Sequence, residues 1–127
     1  MKIQLSSVFV NDQKSALKFY TEVLGFVKKT ELPFGEFSWL TVVSPDGPDD
    51  IELVLEPNAH PAAKTYQQAI FKDGIPATSF AVKDIQKEYE RLSSLGVVFT
   101  MKLTKTEWAA VAIFNDTCGN LIQLHQV

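Results

Sequence analysis

The chain has 127 residues, 46% of them hydrophobic and 21% charged, which is one domain's worth of ordinary globular sequence and excludes wholesale disorder. Its net charge of −3 gives no electrostatic footprint for nucleic acid or an anionic membrane surface, so neither is expected as a partner. One cysteine, Cys118, excludes an intrachain disulfide and a cysteine-rich zinc site.

In chain order, residues 3–10 are rich in Val, Phe and Ser without helical spacing and predict a strand. Asn11 or Asp12 suits the cap of a following helix, whose apolar face is Ala16, Phe19, Tyr20, Val23 and Leu24, and Gly25 supplies a left-handed stop. Three strands follow at about 26–33, 37–44 and 50–56, with Pro45-Asp46-Gly47-Pro48 as turn chemistry. Residues 58–74 predict a connecting helix entered at Pro61 and carried by Ala62, Ala63, Tyr66, Ala69 and Ile70. A strand at 76–82, a helix capped by Asp84 with Ile85, Tyr89, Leu92 and Leu95 on one face, and a stop at Gly96 come next. Strands at about 97–102, 107–115 and 120–126 complete the chain. The start of the chain lacks the apolar core of a signal peptide, and no run approaches the roughly 18–20 apolar residues of a membrane helix, so a cytoplasmic protein is expected.

The sequence repeats itself. Val10-Asn11-Asp12 returns as Val82-Lys83-Asp84, at an offset of 72, and Leu24-Gly25 returns as Leu95-Gly96, at an offset of 71. Gly47 and Gly119 lie 72 apart, and Ile51-Glu52-Leu53 and Ile122-Gln123-Leu124 lie 71 apart. The landmarks keep their order, so the chain reads as two copies of a βαβββ module, about 1–57 and 75–127. The expected fold class is α+β, with tandem βαβββ modules forming curved mixed sheets in one domain over residues 1–127.

Phe19-Tyr20-Thr21-Glu22-Val23-Leu24-Gly25-Phe26 resembles the first-helix signature of the vicinal oxygen chelate superfamily, the family of glyoxalases, bleomycin-resistance proteins and extradiol dioxygenases. Asp116-Thr117-Cys118-Gly119-Asn120-Leu121-Ile122-Gln123-Leu124 resembles its final turn and strand, usually written D-P-x-G-x-x-x-E-L. The resemblance implies metal-ligand positions on the first and last strands of each module, which fall on Leu5, Glu52, Ala77 and Gln123. Leu5 and Ala77 cannot bind a cation, and a carboxylate with a neutral amide does not make an open catalytic metal site, so neither a metal nor another cofactor is expected. The resemblance also implies a homodimer.

Glu52 is then expected to anchor a ligand's cationic or donor group, having no fixed counter-ion nearby in the sequence. His125 shares a strand face with Gln123, because side chains alternate. Phe37 and Trp39, with Trp108 near the repeat offset from Phe37, are expected to wall a cavity with flat rings. Ser7 and Ser79 share faces with Leu5 and Ala77 and would keep that cavity small-walled and open. His60 and Cys118 read as loop and turn residues, and no nucleotide-binding or serine-hydrolase motif is present. The leading function is a small-molecule binder of the bleomycin-resistance type, for an unidentified ligand of planar or cationic character. The alternatives are a glyoxalase-like lyase, isomerase or dioxygenase-related enzyme with a weak or rearranged metal site, and a protein-interaction module with a vestigial pocket.

Overall fold

A computed structural model describes all 127 residues. It orders them as β1 (Leu5–Val10), α1 (Gln13–Lys18), β2 (Val27–Phe34), β3 (Phe37–Val43), β4 (Glu52–Pro57), α2 (Pro61–Lys72), β5 (Thr78–Val82), α3 (Ile85–Ser94), β6 (Phe99–Lys105), β7 (Ala110–Asn115) and β8 (Leu121–Gln126). The chain divides into two compact units, Met1–Lys64 and Thr65–Val127, with the boundary inside α2.

In the first unit the sheet order is β1-β4-β3-β2, with β1 and β4 parallel and the other pairs antiparallel. Asp12 is the residue that caps α1, its carboxylate accepting from Ser15 N at 3.1 Å. The helix widens over Phe19–Val23 into a π-helical turn, where Leu24 N donates to Phe19 O five residues back. α1 packs on β3 and β4, and Val8, Val10, Ala16, Tyr20, Leu40, Val42 and Leu55 form the buried core. β3 and β4 are joined by only two register pairs, Thr41–Val54 and Val42–Leu53. Beyond them the amide of Gln13 fills the gap: Nε2 donates to Ser38 O at 2.9 Å and Leu55 O at 2.8 Å, and Oε1 accepts from Ser38 N at 3.0 Å. One side chain thus satisfies backbone groups that the ladder leaves open.

The second unit repeats the topology as β5-β8-β7-β6. Asp84 caps α3 as expected, accepting from Lys87 N at 3.0 Å. α3 packs on β6, β7 and β8 over Ile85, Leu92, Ala112, Phe114, Ile122 and Leu124. The connecting helix forms as α2, and its buried residues are Ala63 and Gln67, while Tyr66 is 60% exposed. A polar residue faces inward because it has a partner there, Gln67 Nε2 donating to Asn120 Oδ1 at 3.1 Å.

The repeat is real, but its last strands are offset differently from the sequence landmarks. β1 and β5 end at Val10 and Val82, and β3 and β7 end at Val43 and Asn115, so the spacing of the first landmarks carries through the third strand of each unit. The connection before β4 runs over residues 44–51, and that before β8 only over 116–120. The shorter loop draws β8 closer in sequence and changes which residues correspond. Ser7 pairs with Val54 as Ser79 pairs with Gln123, and Thr41 pairs with Val54 as Ile113 pairs with Gln123. Gln123 is therefore the counterpart of Val54, and Glu52 that of Leu121.

Candidate functional site

In each sheet, alternate residues face the helix and the others form a second face. In the first unit that second face carries Leu5, Ser7 and Phe9 of β1, Glu52, Val54 and Glu56 of β4, Phe37, Trp39 and Thr41 of β3, and Leu32 and Phe34 of β2. Leu32 lies opposite Trp39, and Phe34 opposite Phe37. All four are exposed, Phe34 by 75% and Trp39 by 37%. Strand alternation places four large apolar side chains side by side on one surface, and no polar residue of β2 or β3 stands among them.

Glu52 is not the lone charge expected. A register shift between Lys28 and Thr30 leaves Lys29 as the extra residue of a bulge, and bulges re-aim side chains. Lys29 Nζ lies 3.8 Å from Glu52 Oε2 and also donates to Asp49 O. Thr41 Oγ1 donates to Glu52 Oε1 at 2.8 Å. The carboxylate thus has both a counter-ion and a hydroxyl donor. Further along the same face, Glu56 is half-buried beside Phe9 and makes no hydrogen bond or ion pair. Continued past Thr41–Val54, the register of β3 and β4 puts Trp39 across from Glu56, where the Gln13 amide holds the strands apart. The sequence signal for Glu56 is its shared parity with Glu52; nothing in the sequence announces that Lys29 takes the other carboxylate.

In the second unit the corresponding face carries Ser79 and Ala81 of β5, Gln123 and His125 of β8, and Val111 and Ile113 of β7. Three residues named from the sequence come together here. Ser79 Oγ lies 2.7 Å from His125 Nδ1, and Gln123 Nε2 donates to Ser79 Oγ at 3.2 Å. Ala77 stands outside the strand, before β5, its N–H donating to Leu121 O at 2.8 Å; the partner of Gln123 is Ser79. Trp108 is also corrected. It sits on the tip between β6 and β7, 90% exposed, so the matching aromatic walls are not formed. Thr106 Oγ1 accepts from Trp108 N at 3.3 Å and Ala109 N at 3.1 Å, which holds those residues in a turn instead of a strand. With β3 and β7 aligned at their ends, Trp108 matches Glu36, and Phe37 matches Ala109.

The turn at 116–120 is a buried polar knot. Asp116 Oδ1 accepts from Cys118 N at 2.7 Å and Asn120 N at 2.9 Å, and Oδ2 accepts from Asn120 Nδ2 at 2.8 Å. Cys118 is fully buried within it, in keeping with a turn residue. His60 Nδ1 accepts from Ala62 N at 3.0 Å at the entry to α2.

No group of three His, Cys, Asp or Glu side chains is placed to hold a metal ion. The positions named from the resemblance fit a divalent cation poorly, because Lys29 lies beside Glu52, Leu5 and Ala77 offer no side-chain donor, and Gln123 is neutral. No helix is long and apolar enough to cross a membrane.

A family model described as the Glyoxalase/Bleomycin resistance protein/Dioxygenase superfamily matches residues 2–124. The chain is 60% identical over 126 residues to the uncharacterized protein YurT of Bacillus subtilis (strain 168), covering 99% of each. The solved structure of UcmS2 matches with a TM-score of 0.85 at 32% identity, over 98% of this chain and 97% of that one. TnmS3, described as an antibiotic binding protein from Streptomyces sp. CB03234, matches with a TM-score of 0.78 at 29% identity, over 99% of this chain and 95% of that one.

Proposed function

We propose that this chain, which belongs to the Glyoxalase/Bleomycin resistance protein/Dioxygenase superfamily, binds a small organic molecule and acts by holding it. The observation that carries this reading is the aromatic face of the first unit, where Leu32, Phe34, Phe37 and Trp39 are exposed together. A contiguous exposed apolar patch is the usual mark of a binding surface. The antibiotic-binding description of TnmS3 supports the same class of ligand. A planar ligand would stack on Trp39 and Phe37, and a basic group on it would meet Glu56, the carboxylate left without a partner. Glu52 contributes less, being compensated by Lys29. The reading uses no metal, and it includes a cytoplasmic setting and a homodimer, the latter on the family's habit of pairing.

Thermal-shift screening of planar aromatics, with and without an amine, tests it. A ligand at about 100 times its dissociation constant adds about 2.7 kcal/mol to apparent stability. Trp39→Ala should weaken any hit, and Glu56→Gln should weaken amine-bearing hits selectively. If no aromatic raises the melting temperature, or if Trp39→Ala leaves every hit unchanged, the reading fails.

A further inference from the structure

We propose that Gln123, Ser79 and His125 form a one-directional hydrogen-bond relay that holds the neutral imidazole with its proton on Nε2, making this face of the second unit a receptor for an accepting oxygen, the carbonyl or carboxylate of a ligand. The proposal rests on the small-molecule reading and gives the second unit a polar contact of its own.

The relay rests on three side chains linked at hydrogen-bond distance. Ser79 lies opposite Gln123 and diagonal to His125 in the parallel ladder of β5 and β8, and its hydroxyl touches both. The Gln123 amide nitrogen only donates, so its 3.2 Å contact takes a lone pair of Ser79 Oγ. The hydroxyl keeps a second lone pair and its one proton; we assign that proton to His125 Nδ1, 2.7 Å away, which makes the ring nitrogen the acceptor. An imidazole that accepts at Nδ1 while neutral carries its proton at Nε2. Nε2 has no hydrogen-bond partner in the unit: the residue opposite His125 on β7 is Val111, and that opposite it on β5 is Ala81. Gln123 Oε1 is likewise unused. One strand therefore presents a donor and an acceptor from alternate positions, whose Cα atoms are about 7 Å apart, over a floor of small and branched apolar side chains. The first unit supplies an internal contrast. The counterparts of Ser79, Gln123 and His125 there are Ser7, Val54 and Glu56, so the serine recurs and the relay does not.

Two measurements test this. In the ¹⁵N-labelled protein, at alkaline pH, long-range proton–nitrogen correlation should show His125 in the Nε2–H form alone, with Nδ1 shifted by the bond it accepts. Ser79→Ala should remove that shift and release a mixture of tautomers; the Ser79 side chain is exposed, so the variant should fold. An Nδ1–H ring in the parent, or a Ser79→Ala spectrum identical to it, overturns the relay. Acetophenone and ethylbenzene, of similar shape with and without a carbonyl, test the receptor. Acetophenone should move the Nε2 signal and bind about twofold to tenfold more weakly to Ser79→Ala, as expected for one hydrogen bond, while ethylbenzene should leave Nε2 in place. Equal responses to the two overturn the receptor assignment and leave the aromatic face, judged by thermal shift, standing. A failed thermal-shift screen with the relay intact overturns the reading of that face instead.

Discussion

Glu52 shows how much one neighbour changes a residue's meaning. As an unpaired carboxylate it would weaken the fold, and its neutralisation would be harmless. With Lys29 at 3.8 Å and Thr41 at 2.8 Å the sign reverses. Lys29 is 38% exposed, so screening limits the pair to about 0.5–1 kcal/mol. Glu52→Gln should lower stability by that amount in urea denaturation at low salt and by less at high salt; a gain would mean that the pair costs more in desolvation than it returns. Gly119 is the opposite case, a residue defined by what it lacks. Its φ is +103°, and a Cβ there would lie 2.8 Å from Gln67 Nε2. Gly119→Ala should cost about 1–3 kcal/mol for the backbone alone, plus the displacement of Gln67. Adding Gln67→Ala should recover part of the loss in a double-mutant cycle, and strict additivity would show that the clash is relieved without cost.

The elements carry a different kind of information, and Gln13 is the clearest example. It opens α1, yet its three hydrogen bonds to Ser38 and Leu55 belong to the sheet. Gln13→Leu should destabilise the first unit by about 2–3 kcal/mol, at about 1 kcal/mol per bond, and should speed hydrogen exchange at the Ser38 amide specifically. Unchanged exchange there would mean that β3 and β4 close without it. The βαβββ order, the Asp84 cap and the glycine stops are legible in the sequence because each depends on a few adjacent residues, while the first cap is narrowed only to Asn11 or Asp12. Gln13 is not legible, since a glutamine at a helix start looks the same whether or not it reaches a strand. The match of Glu52 with Gln123 misleads for a related reason. A repeated Ile-x-Leu pattern is common in strands, and only the ladder shows that the longer connection at 44–51 and the shorter one at 116–120 displace the last strands. Trp108 reads as a strand residue because β-prone residues follow it, whereas Thr106 closes a turn around it.

At the scale of the whole molecule, the two units share one topology and have divided their chemistry. The first presents flat apolar surface with a free carboxylate; the second presents the amide, hydroxyl and imidazole of Gln123, Ser79 and His125. Duplicated scaffolds tolerate this because the helix-facing residues of each sheet carry the fold while the other face is free to vary. The family resemblance implies a homodimer, and symmetric pairs are the commonest oligomers. Sedimentation at micromolar concentration should therefore give twice the 14.2 kDa chain mass. A single 14.2 kDa species would remove the dimer from the proposal.

The turn at Thr106 has a practical consequence. The chain has two tryptophans, and they sit in contrasting surroundings: Trp108 stands 90% in solvent on its hairpin tip, and Trp39 lies 37% exposed in the aromatic face. At that exposure Trp108 should add a red-shifted background to the fluorescence emission. Trp108→Phe should leave the fold untouched and make Trp39 the sole indole emitter, so that filling the aromatic face registers as a blue shift or quenching without any added label. If the aromatic face takes a ligand, one substitution at a hairpin tip turns Trp39 into an optical gauge of its occupancy.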